Sequence, residues 1–304
     1  MKVLVTGAAG FIGSNLCQRL IAEKVQVTGL DNLSYGLRSQ IPAGVRFCRG
    51  DIRSKDIHRY FKGVDAVFHL AAKNCISDCQ ADPAETASIN VFGTVNVLDA
   101  CRKMRVKKII CAESAALYEG CKKFPSDEEN VQPVSFYGRS KLAARMFMQE
   151  YSRFYGLRYT ALRYFNVYGP YQDYRRTVPP VMSAFILDLL KNKRPVIYGN
   201  GRKRRDFIYV DDVNDFHLLA LRDRRTDGQT YNVGSGVNYS VNEIYSAVDN
   251  ILRTGIKPAF KKDLPGECRT TLADISGARR LGWKPKTDLM TGLTITVEHI
   301  RNNV

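Results

Sequence analysis

Apolar positions in the first half of the chain switch repeatedly between two spacings. Short β-rich runs at 2–7 (KVLVTG), 26–31 (QVTGLD), 45–52 (VRFCRGDI), 66–72 (AVFHLAA) and 107–114 (KKIICAES) predict strands. Helical patterns lie between them. Phe11, Ile12, Leu16, Leu20 and Ile21 share one face of 11–24, and 87–104 (ASINVFGTVNVLDACRKM) is a second helical stretch. Strand alternating with helix predicts a parallel sheet with helices on both faces, an α/β fold of the doubly wound kind. The run 159–169 (YTALRYFNVYG) predicts the next strand, and 207–213 (FIYVDDV) and 230–236 (TYNVGSG) predict further ones. Between them, 171–205 holds a proline pair, a helix and a basic run. No repeat or low-complexity linker divides the chain. The pattern predicts one unit over 1–170 and a smaller one over 171–304, interleaved with the first through returns near 207–236.

Composition narrows the class. A chain of 304 residues, 44% hydrophobic and 25% charged, suits a water-soluble globular protein with a sizeable core. No run of eighteen apolar residues is present, so no membrane span is expected. MKVLVTGAAGFIG reads as a strand and a glycine-rich turn, not as a signal peptide. The eight cysteines form no CxxC pair, Cys75 and Cys79 being nearest neighbours, and there are only four histidines. Reduced thiols in the cytoplasm and no metal site are expected. The formal charge of +16 concentrates in RKRR (202–205) and RDRR (222–225). That charge admits a nucleic-acid surface, an anionic-substrate pocket or a solvated basic face. Nucleic acid is the least supported, because no binding motif accompanies it.

Chemistry enters with VTGAAGFIG. Gly7, Gly10 and Gly13 follow a strand and open a helix. Glycines there let a pyrophosphate approach the helix N-terminus, whose free N–H groups and dipole attract anions. Asp31 closes the second strand, where a carboxylate accepts from ribose hydroxyls and repels a 2′-phosphate, so NAD is expected over NADP. Asp51, ending the third strand, is placed to bind an adenine amino group. In VSFYGRSK, a helix sets Tyr137 and Lys141 on one face. An ammonium beside a phenol favours the phenolate, so Tyr137 is expected to act as a base with a lowered pKa. Ser114 ends a strand and is a candidate proton relay.

The motifs TGAAGFIG, DNLSYG, GDI, HLAA, ASINVFGTVNVL, YGRSK, LRYFNVYGP, RDFIYVDDV and LADISGARRLGWKPKTDL occur in that order over nearly the whole chain. They resemble the extended short-chain dehydrogenase/reductases of the nucleotide-sugar epimerase/dehydratase family. The resemblance implies an N-terminal Rossmann domain holding NAD, a smaller α/β C-terminal domain holding a nucleotide-sugar, and a homodimer joined through two helices per subunit. By position it implies Phe11 and Ile12 at the pyrophosphate turn. Asp31, Asn32, Ser34 and Gly36 surround the adenosine ribose, and Asp51 and Ile52 flank the adenine. Leu70, Ala71, Ala72 and Lys73 run along the cofactor, faced by Asn90. Ser114, Tyr137 and Lys141 form the catalytic set. Asn166 lies near the sugar diphosphate, and Arg205 is the diphosphate clamp, suited by its planar fork.

The family's dehydratases carry an Asp-Glu pair after the serine, its decarboxylases a Glu and its epimerase/reductases a Cys. This chain has Ala115 and Ala116, which move no proton. The expected reaction is 4-epimerisation of a UDP-sugar, with UDP-glucose/UDP-galactose first and the N-acetyl pair second. A dehydratase, decarboxylase or reductase of the same family is the alternative. An NAD-sensing or RNA-binding member is the non-enzyme one, opposed by the intact Tyr137 and Lys141. Glu113 is unexplained, Glu119 departs from the family's YGD, Leu264 replaces a common arginine, and Thr271 replaces a bulky tyrosine in a way that would leave room for an N-acetyl group.

Overall fold

The computed structural model describes residues 1–174, 179–263 and 268–304. Leu264 therefore lies outside the described residues. The strands are β1 (Lys2–Thr6), β2 (Gln26–Asp31), β3 (Arg46–Arg49), β4 (Ala66–His69), β5 (Lys108–Ser114), β6 (Arg158–Tyr164), β7 (Asn166–Tyr168), β8 (Val196–Tyr198), β9 (Arg204–Tyr209), β10 (Gln229–Val233), β11 (Asn238–Ser240) and β12 (Ala259–Lys261). Seven of them form one sheet in the order β3-β2-β1-β4-β5-β6-β10. Every pairing in it is parallel.

Register explains why these strands read as unbroken apolar runs. Leu4, Val67, Ile109 and Tyr159 lie side by side and face one core. Val5, Phe68 and Ile110 lie side by side one residue on and face the other. Both faces are covered, as a parallel sheet requires. Leu16, Cys17 and Leu20 of the helix Phe11–Ala22 and Val213 and Phe216 of the helix Val210–Arg222 cover the Val5 side. Val97 and Leu98 of the helix Gly93–Lys103 and Met148 of the helix Phe136–Tyr155 cover the Leu4 side.

Three predicted segments change shape. The run 159–169 breaks at Phe165, whose N–H donates to Val233 O (3.1 Å). β7 then leaves for a three-stranded sheet, β11-β9-β7. The run 207–213 stops being strand at Tyr209, and Val210 opens a helix with Asp211 and Asp212 in its first turn. Carboxylates there complement the positive end of the helix dipole. In 87–104, a π-turn over Ser88–Phe92 precedes the helix Gly93–Lys103.

A separate core joins the helices Val181–Leu190, Val241–Leu252 and Leu289–Arg301 to β9 through Phe185, Ile244, Leu293, Phe207 and Tyr209. β10 nevertheless returns to the edge of the main sheet beside β6.

Candidate active site

The candidate cofactor residues that follow β1 to β4, and Ser114 at the end of β5, lie at the C-terminal edge of the main sheet, where β1 lies between β2 and β4 and the strand order reverses. Such an edge is where open α/β sheets bind ligands. β1 runs into a turn in which Gly7 has φ 73° and its N–H donates to Leu30 O (2.9 Å). A Cβ on Gly7 would stand 2.8 Å from Ala71 N, and one on Gly13 would stand 2.0 Å from Gly7 O. No side chain caps the helix beginning at Phe11, so its first turn, with Ile12, keeps its donors for a ligand.

Asp31 Oδ2 accepts from Ala9 N (3.0 Å) and Oδ1 from Leu33 N (2.8 Å). Each oxygen retains a further acceptor position, enough for two hydroxyls. Burial raises its pKa, opposed by those two backbone donors. The loop after Asp31 closes on the turn: Ser34 N donates to Asn32 Oδ1 (3.0 Å), and beyond Gly36 the Leu37 N–H donates to Ala9 O (3.1 Å). These features fit NAD. The glycines let the turn pack tightly against the β4 loop and the helix start, the bare helix end offers donors, and Asp31 suits an unphosphorylated ribose.

Asp51 differs from expectation. Its Oδ1 accepts Arg53 N (2.8 Å) and Nε (2.9 Å), and its Oδ2 accepts Arg53 Nη2 (2.6 Å) and Asn32 Nδ2 (3.1 Å). The Arg53 guanidinium holds this carboxyl at about 2. All four acceptor positions are filled, so Asp51 shapes the edge through Arg53 and Asn32 instead of offering a free acceptor. Ile52 is buried, and a Cβ on Gly93 would stand 2.6 Å from its Cδ1.

After β4, Leu70 N donates to Thr6 O (3.1 Å) and Ala71 N to Thr6 Oγ1 (3.3 Å). The chain passes Ala72 to Lys73, whose Nζ pairs with Glu85 Oε2 (2.6 Å). Asn90 is only 2% exposed, and both of its amide N–H groups are spent on protein. Its Oδ1 accepts Lys73 N (2.8 Å), while Nδ2 donates to Lys73 O (2.9 Å) and Ser140 Oγ (3.0 Å). It ties the β4 loop to the helix Phe136–Tyr155 and keeps no free amide N–H for a cofactor.

Ser114 caps the turn Ala115–Tyr118 by accepting Ala116 N (3.2 Å), and its hydroxyl favours the ionised form of the Tyr137 phenol. Burial pushes Tyr137 up to about 12, against the lowering effect of Ser114. The expected drop from Lys141 does not occur in the protein alone. The Lys141 Nζ lies 6.0 Å from the Tyr137 ring centroid and donates to Ala112 O (3.0 Å). Burial lowers Lys141 itself to about 8.

Glu113 is now explained. It stands opposite Arg163 in the β5–β6 register and accepts from Arg163 Nε (2.9 Å), with Arg145 Nε at 3.5 Å. Strand alternation turns it away from Ser114, so it cannot replace the missing acid–base pair. Ala115 packs against the apolar cluster of Tyr118, Phe165, Ala273 and Ile275. Glu119 accepts Ser135 N (2.9 Å) and Ser135 Oγ (3.0 Å), fixing the residue that caps the Tyr137 helix at Gly138 N (3.0 Å).

Asn166 is exposed and opens β7, two residues past Tyr164, the register partner of Ser114. Arg205 sits on β9 and donates Nη1 to Arg204 O (3.0 Å), with no carboxylate paired to it among the described residues. Thr271 Oγ1 accepts Asp206 N (3.1 Å) and is tied to β9. Most other basic-run side chains are paired: Arg222 with Glu23 (2.7 Å), Arg225 with Asp223 (2.6 Å) and Arg204 with Glu243 (2.9 Å). The sequence motifs gave no role to His69, Thr94, Ser140 or Glu119. A histidine inside an apolar strand end was the one visible signal.

A profile described as the NAD dependent epimerase/dehydratase family matches residues 3–234. A UDP-glucose 4-epimerase of Mycolicibacterium smegmatis is 35% identical over 313 residues, covering 99% of each chain. Among solved structures, the UDP-glucose 4-epimerase of Thermotoga maritima with UDP-glucose superposes with a TM-score of 0.96 at 35% identity, covering 100% of this chain and 99% of that one. The UDP-N-acetylglucosamine 4-epimerase of Methanobrevibacter ruminantium, in complex with UDP-N-acetylmuramic acid, gives 0.96 at 31% with the same coverage.

Proposed function

The chain belongs to the NAD dependent epimerase/dehydratase family, and from that premise we propose that it is an NAD-dependent UDP-sugar 4-epimerase, acting on UDP-glucose/UDP-galactose first and the N-acetyl pair second. One observation carries the reading. Ser114, Tyr137 and Lys141 meet beside the dinucleotide cradle, and the next two residues, Ala115 and Ala116, offer no second acid or base.

Bound in the cradle, NAD supplies the acceptor and donor for a hydride at C4 of the sugar. Tyr137 takes the C4 hydroxyl proton, and Ser114, whose hydroxyl favours the ionised phenol, relays it. A phenol near 12 is a poor acid unless cations approach, so Lys141 must stay charged and near it. The same phenol returns the proton after the 4-keto sugar has turned over. Ala115 and Ala116 can neither eliminate water nor deprotonate C5, which favours inversion at C4. Asn166 and Arg205 are assigned to the sugar diphosphate. The smaller unit over 171–304 holds the nucleotide-sugar.

We also assign a homodimer built on the helix Phe136–Tyr155. Met146, Phe147, Phe154 and Tyr155 expose 59%, 42%, 66% and 58% of their surfaces there, an apolar patch that a partner copy would cover.

Purified protein should be incubated with UDP-galactose, UDP-N-acetylglucosamine and UDP-glucuronate and the products followed by NMR. A 4-epimer from at least one is expected. No 4-epimer from any, or a deoxy or pentose product, would overturn the reading in favour of another reaction of the family.

A further inference from the structure

A buried histidine outside the catalytic set joins the two halves of the site. His69, 5% exposed, ends β4 between Thr6 of β1 and Thr94 of the helix Gly93–Lys103. His69 Nδ1 lies 2.8 Å from Thr6 Oγ1, and Nε2 lies 3.0 Å from Thr94 Oγ1. The directions of these bonds follow from the neighbours. Thr94 Oγ1 is 2.6 Å from Asn90 O, which can only accept, so Thr94 donates its one proton there. It must then accept from His69, which places the imidazole proton on Nε2. Nδ1 is the acceptor, so Thr6 donates to it, and Thr6 Oγ1 is left to accept Ala71 N–H (3.3 Å).

One directed chain results: Ala71 N–H to Thr6, Thr6 to His69 Nδ1, His69 Nε2–H to Thr94, Thr94 to Asn90 O. Each end touches a working part. Ala71 packs on the glycine turn, with its N only 2.8 Å from where a Gly7 Cβ would stand. Asn90 holds Ser140 Oγ (3.0 Å), and Ser140 Oγ donates to Tyr137 O (2.8 Å). We propose that His69, as the neutral Nε2–H tautomer, is a positioning residue that registers the dinucleotide cradle against the backbone of Tyr137. The inference rests on the NAD-dependent reading of the site for its purpose, and on geometry alone for its tautomer.

The two ends can be cut separately. His69→Asn keeps an acceptor near the Nδ1 position and loses the Thr94 bond, and Thr94→Val breaks the same limb. His69→Gln keeps a donor near the Nε2 position and loses the Thr6 bond, and Thr6→Val breaks that limb. The folded full chain is titrated with NAD by fluorescence quenching, and kcat is measured at saturating NAD. His69→Asn and Thr94→Val should lose about 10-fold more in kcat than in NAD affinity, about 1.4 kcal/mol. His69→Gln and Thr6→Val should show the reverse split. Equal losses on both axes in all four variants would reduce His69 to a fold residue and overturn the proposal. Nitrogen-15 NMR of the wild-type histidines should show an Nε2–H tautomer for His69, and an Nδ1–H tautomer would overturn it independently. The NAD titration and the tautomer do not depend on epimerase turnover, so failure of the enzyme reading would be seen separately.

Discussion

At the scale of single residues, Tyr137 is the proposed base. Tyr137→Phe should retain NAD, seen in the spectrum of the denatured protein, and lose about 10²–10⁴-fold in kcat, the usual weight of a positioned acid–base group. Full activity in that variant would remove the proposed base. The placement of Tyr137, Lys141, Asp31 and the glycines was legible because their spacing follows one helix, one strand end or one turn. Glu113 was not. Its partner Arg163 lies 50 residues away and becomes visible only through the β5–β6 register. The pair is desolvated, with side chains 1% and 0% exposed. Glu113→Leu leaves an uncompensated guanidinium and should cost about 3–5 kcal/mol in urea unfolding, whereas Glu113→Leu with Arg163→Met should recover most of it. A single-mutant loss below about 1 kcal/mol would show that water already reaches the pair. The Lys141 expectation failed for a related reason: helical spacing set it near Tyr137, but burial and the Ala112 carbonyl decide where its ammonium points.

Among the elements, the helix Phe136–Tyr155 is aimed by its first turn. Ser135 caps it, and Glu119 holds Ser135 by backbone and side chain together. Ser135→Ala should cost about 1 kcal/mol of stability. Glu119→Ala leaves that cap but frees its anchor, so kcat should fall more than the melting temperature implies, measured by NMR turnover beside calorimetry. An unchanged kcat would show that the helix finds its place without Glu119. Element existence was readable from apolar spacing, but element ends were not. FIYVDDV continues an apolar pattern that suits a strand, and only packing of Val210 and Val213 into the cores turns its second half into helix. The π-turn carrying Asn90 has no signature in 87–104, because an extra residue in a helical turn leaves composition unchanged.

For the whole molecule, acid sensitivity should come from histidines. Burial lowers His69 and His217 to about 3, against about 6.5 when exposed. A depressed folded value gives stability that is complete above pH 6.5 and fades as pH falls toward 3. At pH 5 each should cost about 2 kcal/mol relative to pH 7. The buried Asp31, Asp206 and Asp212, with raised values, pull the other way at lower pH. Urea midpoints should fall from pH 7 to pH 5, and His217→Gln should roughly halve that slope. A flat profile would mean that the histidines are hydrated or already charged. The proposed dimer is tested by Phe147→Glu, which should shift sedimentation toward monomer while leaving the cradle and catalytic residues untouched.

The return of β10 to the main sheet bears on how this molecule can be engineered. A protein cut at residue 170 would shed the strand that covers β6 and the helix Val210–Arg222 that lies over the Val5 face. It would expose an edge ready to pair with other chains and a bare apolar surface. The stretches on either side of residue 170 are therefore not cassettes. A graft between relatives that exchanges the segments packed around Phe185, Ile244 and Leu293 must leave 205–235 with the recipient and swap sequence on either side of it, as two insertions into one scaffold.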